Sequence, residues 1–171
     1  VRYIDTHAGA GIYDINSAQA EKTREFRRGV GRLPLDQLQD LLPGPLASYT
    51  SLLKTCASDH QYPGSPMLAA SLLRSQDELR LFELHTTEYP RLSELFRRDR
   101  RVKVVNTDGY QSTTALLPVS HSRAVILIDP SYELKSDYEA VAEAVRRGYE
   151  RMPNAVFMIW YPVVNNPLLT R

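Results

Sequence analysis

The sequence predicts an α/β fold in which helices cover both faces of a mostly parallel β-sheet. Short apolar runs alternate with helix-like segments along the 171 residues, and this alternation is typical of strand–helix–strand units. Two runs, at residues 124–129 and 155–161, are apolar enough to predict central strands. A hydrophobic fraction of 43% fits a single globular domain over residues 1–171.

The strands and helices are assigned in chain order. Strands are predicted at residues 2–5, 79–84, 102–106, 124–129 and 155–161, and helices at residues 66–75, 87–98 and 137–151. Ser65 is the expected N-cap of the first helix and Pro66 its first residue, since both are favoured there. The third helix has the clearest amphipathic pattern, and its apolar face is expected to pack on the sheet. That face consists of Tyr138, Val141, Ala142, Val145 and Tyr149.

Residues 17–62 interrupt the alternation. This segment is Arg-rich and then Leu-rich, contains Pro43-Gly44-Pro45 and shows no convincing strand pattern, so it is predicted to be a helical insertion. The sequence lacks an initiator Met, begins almost directly with a strand and ends without a capping element. We therefore expect a fragment of a longer protein, truncated at both ends.

The most informative segment is Asp129-Pro130-Ser131-Tyr132, which directly follows an apolar strand. At the carboxyl end of a strand, the Asp129 carboxylate and the Pro130 carbonyl can hold an exocyclic amine while the Tyr132 ring stacks on its base. Adenine N6 is such an amine. Asp129, Pro130 and Tyr132 are therefore the candidate catalytic residues for methylation of an amino group. The alternative is a strand-ending turn, because Asp, Pro and Ser are common turn residues.

The loop after the first strand has the sequence Asp5-Thr6-His7-Ala8-Gly9-Ala10-Gly11. Glycines at this place allow the backbone to approach a ligand closely. A dinucleotide fingerprint expects another glycine three residues after Gly11, but Asp14 stands there. The loop therefore fits a nucleoside better than a pyrophosphate, and a plain glycine turn is the alternative.

Acidic residues also follow the next two predicted strands. Glu83 stands where doubly wound folds place an acid against the ribose hydroxyls of a nucleoside. Asp108, followed by Gly109, is placed to contact an adenine edge, and by itself the pair is equally an ordinary turn. Acids or glycines at four successive strand ends are much harder to explain by turns alone. The combination therefore favours a nucleoside-binding site.

Residue spacing argues against a metal site and against a hydrolase. No pair among the four histidines has the helical spacing of a zinc site, and no Cys pair supports them. Gly64-Ser65-Pro66 lacks the second glycine of a nucleophile elbow, so Ser65 is more simply an N-cap or a ligand contact. The histidines in question are His7, His60, His85 and His121.

Composition narrows the function classes further. The lone Cys56 cannot form an internal disulfide. Since the sequence has neither a membrane-spanning apolar run nor a signal-type segment, a cytoplasmic location without a membrane partner is expected. The net charge of +1 does not indicate a nucleic-acid binder. Arginines cluster at residues 24–32, 97–101 and 146–151, where they are either phosphate contacts or solvated helix faces.

Together these motifs resemble the RlmJ-type methyltransferases, which act on adenine N6 in large-subunit (23S) ribosomal RNA. The resemblance covers nearly the whole chain. It is carried by Asp5 to Gly11, Tyr62-Pro63-Gly64-Ser65-Pro66, Glu83-Leu84-His85, Asp108-Gly109, Asp129 to Glu133 and Trp160-Tyr161-Pro162-Val163-Val164.

The resemblance implies a Rossmann-like class I methyltransferase fold with S-adenosylmethionine as cofactor, S-adenosylhomocysteine as product and no metal. It also implies a monomer that acts on protein-free or early-assembly ribosomal RNA. The implied cofactor contacts are His7, Gly9, Gly11, Ser65, Glu83, Asp108, Gly109 and Asp129.

The sequence departs from the family pattern in two ways. Ser131 stands where the family usually has Pro, which keeps the Pro130 carbonyl but predicts a less rigid loop and lower activity. The family's N-terminal segment, which supplies further cofactor and RNA contacts, is absent here, so weaker binding is expected. Two other functions stay open: a DNA adenine-N6 methyltransferase and a non-catalytic nucleoside- or RNA-binding domain.

Overall fold

The computed structural model describes residues 1–17, 20, 22, 24, 27–33, 42–56, 60–120 and 123–163. Within these residues the chain forms seven strands and five α-helices. The strands are β1 (Arg2–Asp5), β2 (Ile12–Asp14), β3 (Gln61–Pro63), β4 (Glu78–Phe82), β5 (Val102–Val105), β6 (Ala124–Ile128) and β7 (Val156–Ile159). The helices are α1 (Gly44–Cys56), α2 (Ser65–Leu72), α3 (Glu88–Leu95), α4 (Gly109–Leu116) and α5 (Ser136–Arg151), with a short 3-10 helix at Val30–Arg32.

Five of the strands form one parallel sheet in the order β5-β4-β1-β6-β7. β1 lies at its centre, with Asp5 opposite Leu81 of β4 and Leu127 of β6. From β1 the chain builds one side of the sheet through β4 and β5, then crosses to the other side for β6 and β7. The carboxyl ends of β1, β4 and β6 meet where the strand order reverses, which is the usual ligand site of doubly wound sheets. The predicted Rossmann-like α/β fold is confirmed.

Helices cover both faces of this sheet, as predicted. Successive side chains of a strand point to opposite faces, so Ile4 and Tyr3 of β1 enter two different hydrophobic clusters. Ile4 lies in the cluster that contains Val141 of α5. Tyr3 lies in the cluster that contains Leu92 of α3, with Met67 of α2 packed against it. The two clusters fix the sheet between two layers of helices.

The buried face of α5 differs from the predicted one. Ala144 and Gly148 are buried, whereas Ala142 and Tyr149 are exposed, so the prediction that the last two face the sheet is wrong. A Cβ atom on Gly148 would lie 2.8 Å from the ring of Phe157. The missing side chain lets α5 approach β7, and a stripe of small residues carries little hydrophobic signal in the sequence.

The prediction of two central strands is right for β6, whereas β7 ends the sheet as far as the chain is described. Within the described part of the chain, β7 pairs only with β6 and forms an edge of the sheet. Val156 and Met158 are 54% and 50% exposed. An apolar composition indicates that a strand is stabilised by burial. It does not show whether neighbouring strands or other elements bury it.

A second sheet, formed by β2 and β3 in antiparallel pairing, was not predicted. Each strand has three residues, which is too short for a recognisable alternation. β2 precedes the proposed insertion at 17–62, and β3 begins at its last two residues, so the expectation that this segment contains no strand is wrong there. The structure also describes α1 and the 3-10 helix of this segment, and the insertion as a unit stays a prediction. The Gly64 amide donates to the Gly11 carbonyl at 2.8 Å, so β3 returns the chain to the loop after β1.

The prediction that Ser65 caps α2 is wrong. The N-cap is Gly64, which supplies no side-chain hydrogen bond, and Ser65 is the first helical residue with Pro66 after it. The Ser65 hydroxyl is not available as a cap because it donates to the carboxylate of Asp5 at 2.7 Å.

Gly109→Ala is expected to destabilise the protein because α4 begins in contact with the backbone after β1. A Cβ atom on Gly109 would lie 2.6 Å from the Thr6 Cα atom and would overlap the Thr6 carbonyl oxygen. Backbone atoms cannot move aside without shifting β1, so we expect a loss of about 1–3 kcal/mol in the free energy of unfolding. Gly44→Ala is the matched control, since a Cβ there meets nothing within 4 Å. Urea unfolding of both variants measures the difference, and equal stabilities would contradict the packing argument.

Candidate active site

The loop after β1 connects the three central strands of the sheet. The Thr6 amide donates to the Leu127 carbonyl of β6 at 3.1 Å, and the Ala8 amide donates to the Phe82 carbonyl of β4 at 2.9 Å. Gly9 and Gly11 have φ angles of +60° and +78°, which L-residues with side chains rarely adopt. Both glycines therefore have a backbone conformation that requires glycine, which fits a plain glycine turn as well as a ligand-binding loop.

Glu83 is held in place by this loop. Its Oε2 atom accepts a hydrogen bond from the Gly9 amide at 2.7 Å, and its Oε1 atom accepts one from the His85 amide at 2.7 Å. Each carboxylate oxygen has a second lone pair, so Glu83 can still accept two hydrogen bonds from a ligand diol. The sequence placed Glu83 and Gly9 in the same site, and the structure brings them into direct contact.

Asp108 and Gly109 begin α4 beside this loop. Asp108 is the N-cap of α4, and its Oδ1 atom accepts a hydrogen bond from the Tyr110 amide at 2.8 Å. Gly109 has a packing role because of its contact with Thr6. The ordinary Asp-Gly turn that was the alternative is therefore not what the structure shows, since Asp108 caps a helix and Gly109 is its first residue. The Asp108 Oδ2 atom has no donor among the described residues.

His7 is half-buried and packs against Tyr110, with ring centroids 4.8 Å apart in an edge-to-face arrangement. Its Nδ1 atom lies 2.7 Å from the Thr6 hydroxyl. Burial lowers the pKa of His7 and outweighs the opposing effect of nearby carboxylates such as Glu83. His7 is therefore neutral at physiological pH and can accept or donate one hydrogen bond.

Tyr110 is a residue of this site that the sequence did not reveal. Its hydroxyl is buried and has no hydrogen-bond partner within the described residues. Burial raises its pKa, with Asp137, Tyr132 and Asp108 adding to the effect. An aromatic residue directly after Asp108-Gly109 was the only available signal, and it is indistinguishable from an ordinary core position of a helix.

Asp5 is the second residue whose role sequence reasoning missed. Its side chain is fully buried, and its carboxylate accepts hydrogen bonds from the Tyr3 hydroxyl at 3.0 Å and the Ser65 hydroxyl at 2.7 Å. The His7 amide donates to its other oxygen at 3.3 Å. Burial raises the pKa of Asp5 to about 6 despite these donors. The predicted cofactor contact Ser65 is thus tied to the loop through Asp5.

Asp129 and Pro130 follow β6 on the other side of β1. The Asp129 side chain is exposed, and partial burial raises its pKa. In the described part of the chain no group donates a hydrogen bond to its carboxylate or to the Pro130 carbonyl. Neither acceptor is therefore engaged by a donor among the described residues, and the Asp129 carboxylate is also exposed.

Tyr132 adopts a left-handed backbone conformation with φ of +53°. Its hydroxyl donates to the Trp160 carbonyl at 2.7 Å, and its ring centroid lies 4.7 Å from that of Tyr138 and 6.1 Å from that of Trp160. A cavity of about 520 Å³ adjoins these rings between α5 and the end of β7, and its lining includes Tyr132, Tyr138, Ile159 and Tyr161. The aromatic residue of the tetrapeptide is therefore anchored to the neighbouring strand.

Among the described residues, the side chains of the remaining histidines add no metal ligand to this constellation, although the His85 backbone amide bonds to Glu83. His60 and His85 are exposed, and His121 lies outside the described residues. No group of three or more His, Cys, Asp or Glu side chains suited to a metal ion occurs where side chains are described. Among the helices that the structure describes, none combines the length and apolar character needed to cross a membrane.

The whole sequence matches a known protein family. The family described as "Ribosomal RNA large subunit methyltransferase D, RlmJ" matches residues 1–171. A protein of Escherichia coli (strain K12) named "Ribosomal RNA large subunit methyltransferase J" is 45% identical over 165 residues, covering 95% of this chain and 58% of the relative. A protein of the same name from Haemophilus influenzae is 44% identical over 166 residues, with the same two coverages. The chain therefore spans 58% of the length of these curated relatives.

A solved structure supports the fold. The crystal structure of a Legionella pneumophila protein has 38% sequence identity to the chain and a TM-score of 0.85. The similarity covers 96% of this chain and 60% of that one.

Glu83→Gln is expected to lower stability, because the amide NH₂ of Gln would face one of the two backbone N–H groups that Glu83 now accepts from. The Gly9 contact is partly buried and the His85 contact is exposed, so we expect a loss near the lower end of the range for an unpaired donor, about 1 kcal/mol. Glu94→Gln is the control, since Glu94 only pairs with Arg97 on an exposed helix surface, where such pairs contribute about 0–1 kcal/mol. Urea unfolding compares the two variants. A Glu83→Gln protein as stable as the control would show that the two backbone contacts are not maintained in solution.

Asp5→Asn is expected to change how stability depends on pH. The folded-state pKa of Asp5, about 6, lies above its ordinary value of 3.8, so the folded protein binds this proton more tightly than the unfolded chain does. The stability that comes from protonation is complete below pH 3.8 and is lost as the pH rises through 6. Unfolding free energies measured at several pH values should therefore show wild type losing stability relative to Asp5→Asn over this range. A pH-independent difference would contradict the raised pKa.

Proposed function

The chain belongs to the RlmJ family of ribosomal RNA large subunit methyltransferases, and from this premise we propose that it transfers a methyl group from S-adenosylmethionine to N6 of an adenine in 23S ribosomal RNA. The observation that carries the proposal is the free Asp129 carboxylate, which stands beside the glycine loop at the carboxyl edge of the sheet. Family membership supports ribosomal RNA as the substrate, a cytoplasmic location and S-adenosylhomocysteine as the product.

The residues around the loop fit S-adenosylmethionine chemically. Glu83 has two free lone pairs for the ribose hydroxyls, and Asp108 has one free carboxylate oxygen for the adenine amine. The loop that carries Gly9 and Gly11 would contact the cofactor through its backbone, with His7 and Gly109 beside it, while the missing side chains of the two glycines make room for Tyr13 and Leu92. Ser65 and Asp129 complete the proposed set of contacts. When bound, S-adenosylmethionine would supply an activated methyl group on a positively charged sulfur.

Asp129 and Pro130 would prepare the substrate amine for attack. The lone pair of adenine N6 is delocalised into the ring, so the nitrogen is a poor nucleophile until it becomes tetrahedral. The Asp129 carboxylate and the Pro130 carbonyl would each accept one N6 hydrogen, directing the lone pair toward the methyl carbon and stabilising positive charge on nitrogen. Asp129, with its raised pKa, would accept the proton that leaves the methylated amine. Holding the amine in line with the methyl group supplies the proximity effect.

Tyr132 would stack on the target adenine after it leaves its own base stack. The bond from its hydroxyl to the Trp160 carbonyl fixes the ring, so stacking requires little further ordering. Ser131 does not remove this support, because the anchor runs through Tyr132 and not through residue 131.

The arginine clusters divide into two groups by position. Those at 97–101 and 146–151 precede β5 and β7, so they lie toward the amino edge of the sheet, opposite the candidate active site. Several of them are also ion-paired, among them Arg97 with Glu94 and Arg146 with Glu143. We therefore assign the phosphate contacts near the active site to the cluster at 24–32, where Arg28 and Arg32 are exposed.

Asp129→Ala in the full-length natural protein is expected to reduce methyl transfer by at least about 100-fold, because the amine loses its ionised acceptor. Methyl-labelled S-adenosylmethionine is offered with protein-free large-subunit ribosomal RNA or with duplex DNA, and the nucleosides are then analysed. Wild type should place label in N6-methyladenosine from RNA. Glu139→Ala, on the exposed surface of α5, is the control and should keep activity.

Other outcomes of the same experiment separate the alternatives. Label in DNA would identify a DNA adenine-N6 methyltransferase, and cofactor binding without transfer would identify a binding domain. Full activity in Asp129→Ala would refute the catalytic role of Asp129. A monomer stays a prediction that size-exclusion chromatography of the same sample tests.

A further inference from the structure

The proposed reaction makes no use of Asp5, although its fully buried carboxylate collects three hydrogen bonds. Burial of a carboxylate is costly unless its lone pairs are satisfied. The donors to one of its oxygens, Oδ2, are the hydroxyls of Tyr3 and Ser65, neither of which is a cation. This arrangement determines which way the Ser65 hydroxyl points its proton.

A serine hydroxyl has one proton to donate and two lone pairs that accept. An ionised carboxylate only accepts, so the proton of Ser65 lies on the line to Asp5, at an oxygen–oxygen distance of 2.7 Å. The same carboxylate oxygen also takes the proton of Tyr3. Toward a ligand, Ser65 therefore presents lone pairs only. Asp5 makes Ser65 an obligatory acceptor.

We propose that Asp5 is a positioning residue that fixes the Ser65 hydroxyl as the acceptor for the α-ammonium group of S-adenosylmethionine. This inference rests on the proposed function and deepens it, because it names the two residues, Ser65 and Asp5, that would recognise the ammonium group of the cofactor. The ligand group at Ser65 must be a hydrogen-bond donor, which the ammonium is and the neighbouring carboxylate of the cofactor is not.

The position of Ser65 in the fold selects the amino-acid tail over the rest of the cofactor. The Gly64 amide bonds to the Gly11 carbonyl, so Ser65 lies at the end of the glycine loop. Glu83 and Asp108, which would hold the ribose and the adenine, lie on the β4 and β5 side of β1. Asp129, which must lie beside the transferred methyl group, follows β6 on the other side. The amino-acid tail and the transferred methyl group are both attached to the cofactor's sulfur. Since the ribose, the adenine and the methyl group already have partners, the tail is the part of the cofactor that remains for Ser65.

Charge distinguishes the two ends of the tail. Burial is the main cause of the raised pKa of Asp5, and the charge of Asp129 adds a smaller effect in the same direction. Asp129 is therefore near enough to Asp5 for the two acids to form one negative region. A second carboxylate next to this pair would be repelled, whereas an ammonium would be attracted to both acids and to the Ser65 lone pairs. The ammonium group of the cofactor is therefore expected to point toward Asp5 and Ser65, and the carboxylate of the cofactor to point away from them.

The test compares three ligands by calorimetry on the full-length protein: S-adenosylhomocysteine, its analogue with hydrogen in place of the α-ammonium group, and adenosine. Wild type should bind the deaminated analogue at least about 10-fold more weakly than S-adenosylhomocysteine, as expected for a charge-assisted hydrogen bond. In Ser65→Ala and in Asp5→Leu, whose side chain cannot accept the Ser65 proton, this ratio should fall to about 2-fold or less, with the affinity for adenosine unchanged.

Tyr3→Phe is the matched control. It removes the other hydroxyl that donates to the same carboxylate oxygen and leaves the Ser65–Asp5 bond in place, so it should keep the wild-type ratio. Thermal unfolding checks that each variant is folded. A structural role of Asp5 alone would weaken all three ligands equally and would not move the ratio.

The outcomes separate this inference from the proposed function. If wild type binds S-adenosylhomocysteine but does not distinguish the deaminated analogue, or if Asp5→Leu keeps the ratio, the inference is overturned and the function stands. If wild type does not bind S-adenosylhomocysteine, both fall. Should Asp5→Leu not fold, Ser65→Ala decides: an unchanged ratio overturns the inference, and a collapsed ratio supports it.

Discussion

The central position of β1 between β4 and β6 is the constraint on which the rest of the structure depends. Its register places Asp5 level with Leu81 and Leu127, so the loop that follows can bond to both neighbouring strands. Glu83 reaches the Gly9 amide only because β4 ends one residue before it in this register. If β1 moved by one residue, its side chains would exchange faces, and Tyr3, Ile4 and Asp5 would each lose its partners.

The electrostatics of the site follow from the same arrangement. Asp5, Glu83, Asp108 and Asp129 stand at the carboxyl ends of four adjacent strands, and no described residue supplies a cation to any of them. The backbone amides of Gly9, His85 and Tyr110 satisfy part of this charge without neutralising it. Such a cluster favours a positively charged ligand. A sulfonium and an ammonium on one cofactor match this demand, which a pyrophosphate-containing dinucleotide would oppose.

The predictable parts of the fold and site are those with a local signal. The central strands, the three helices and the acids at the strand ends could be predicted because periodicity and strand-end chemistry lie within a few residues. The bond between Ser65 and Asp5 spans 60 positions, and the strands β2 and β3 pair across the segment 15–60. Neither has a local pattern. Ser65 was predicted to be an N-cap because the preference of serine for that position can be recognised from adjacent residues. Its actual partner, Asp5, is distant in the sequence and could not be recognised in this way.

The edge position of β7 has a consequence for the tetrapeptide. A left-handed backbone at a bulky residue such as Tyr132 is unfavourable by roughly 1–2 kcal/mol, so neighbouring contacts must hold it. The hydroxyl bond to the Trp160 carbonyl and the packing against Tyr138 supply those contacts. Trp160 is in reach because its own amide continues the pairing of β7 with β6 by donating to the Ile128 carbonyl at 3.1 Å. The aromatic residue beside the free carboxylate is therefore positioned by the residue that follows β7, the last strand of the sheet in the described part of the chain, and the rigidity that Ser131 does not provide comes from this contact.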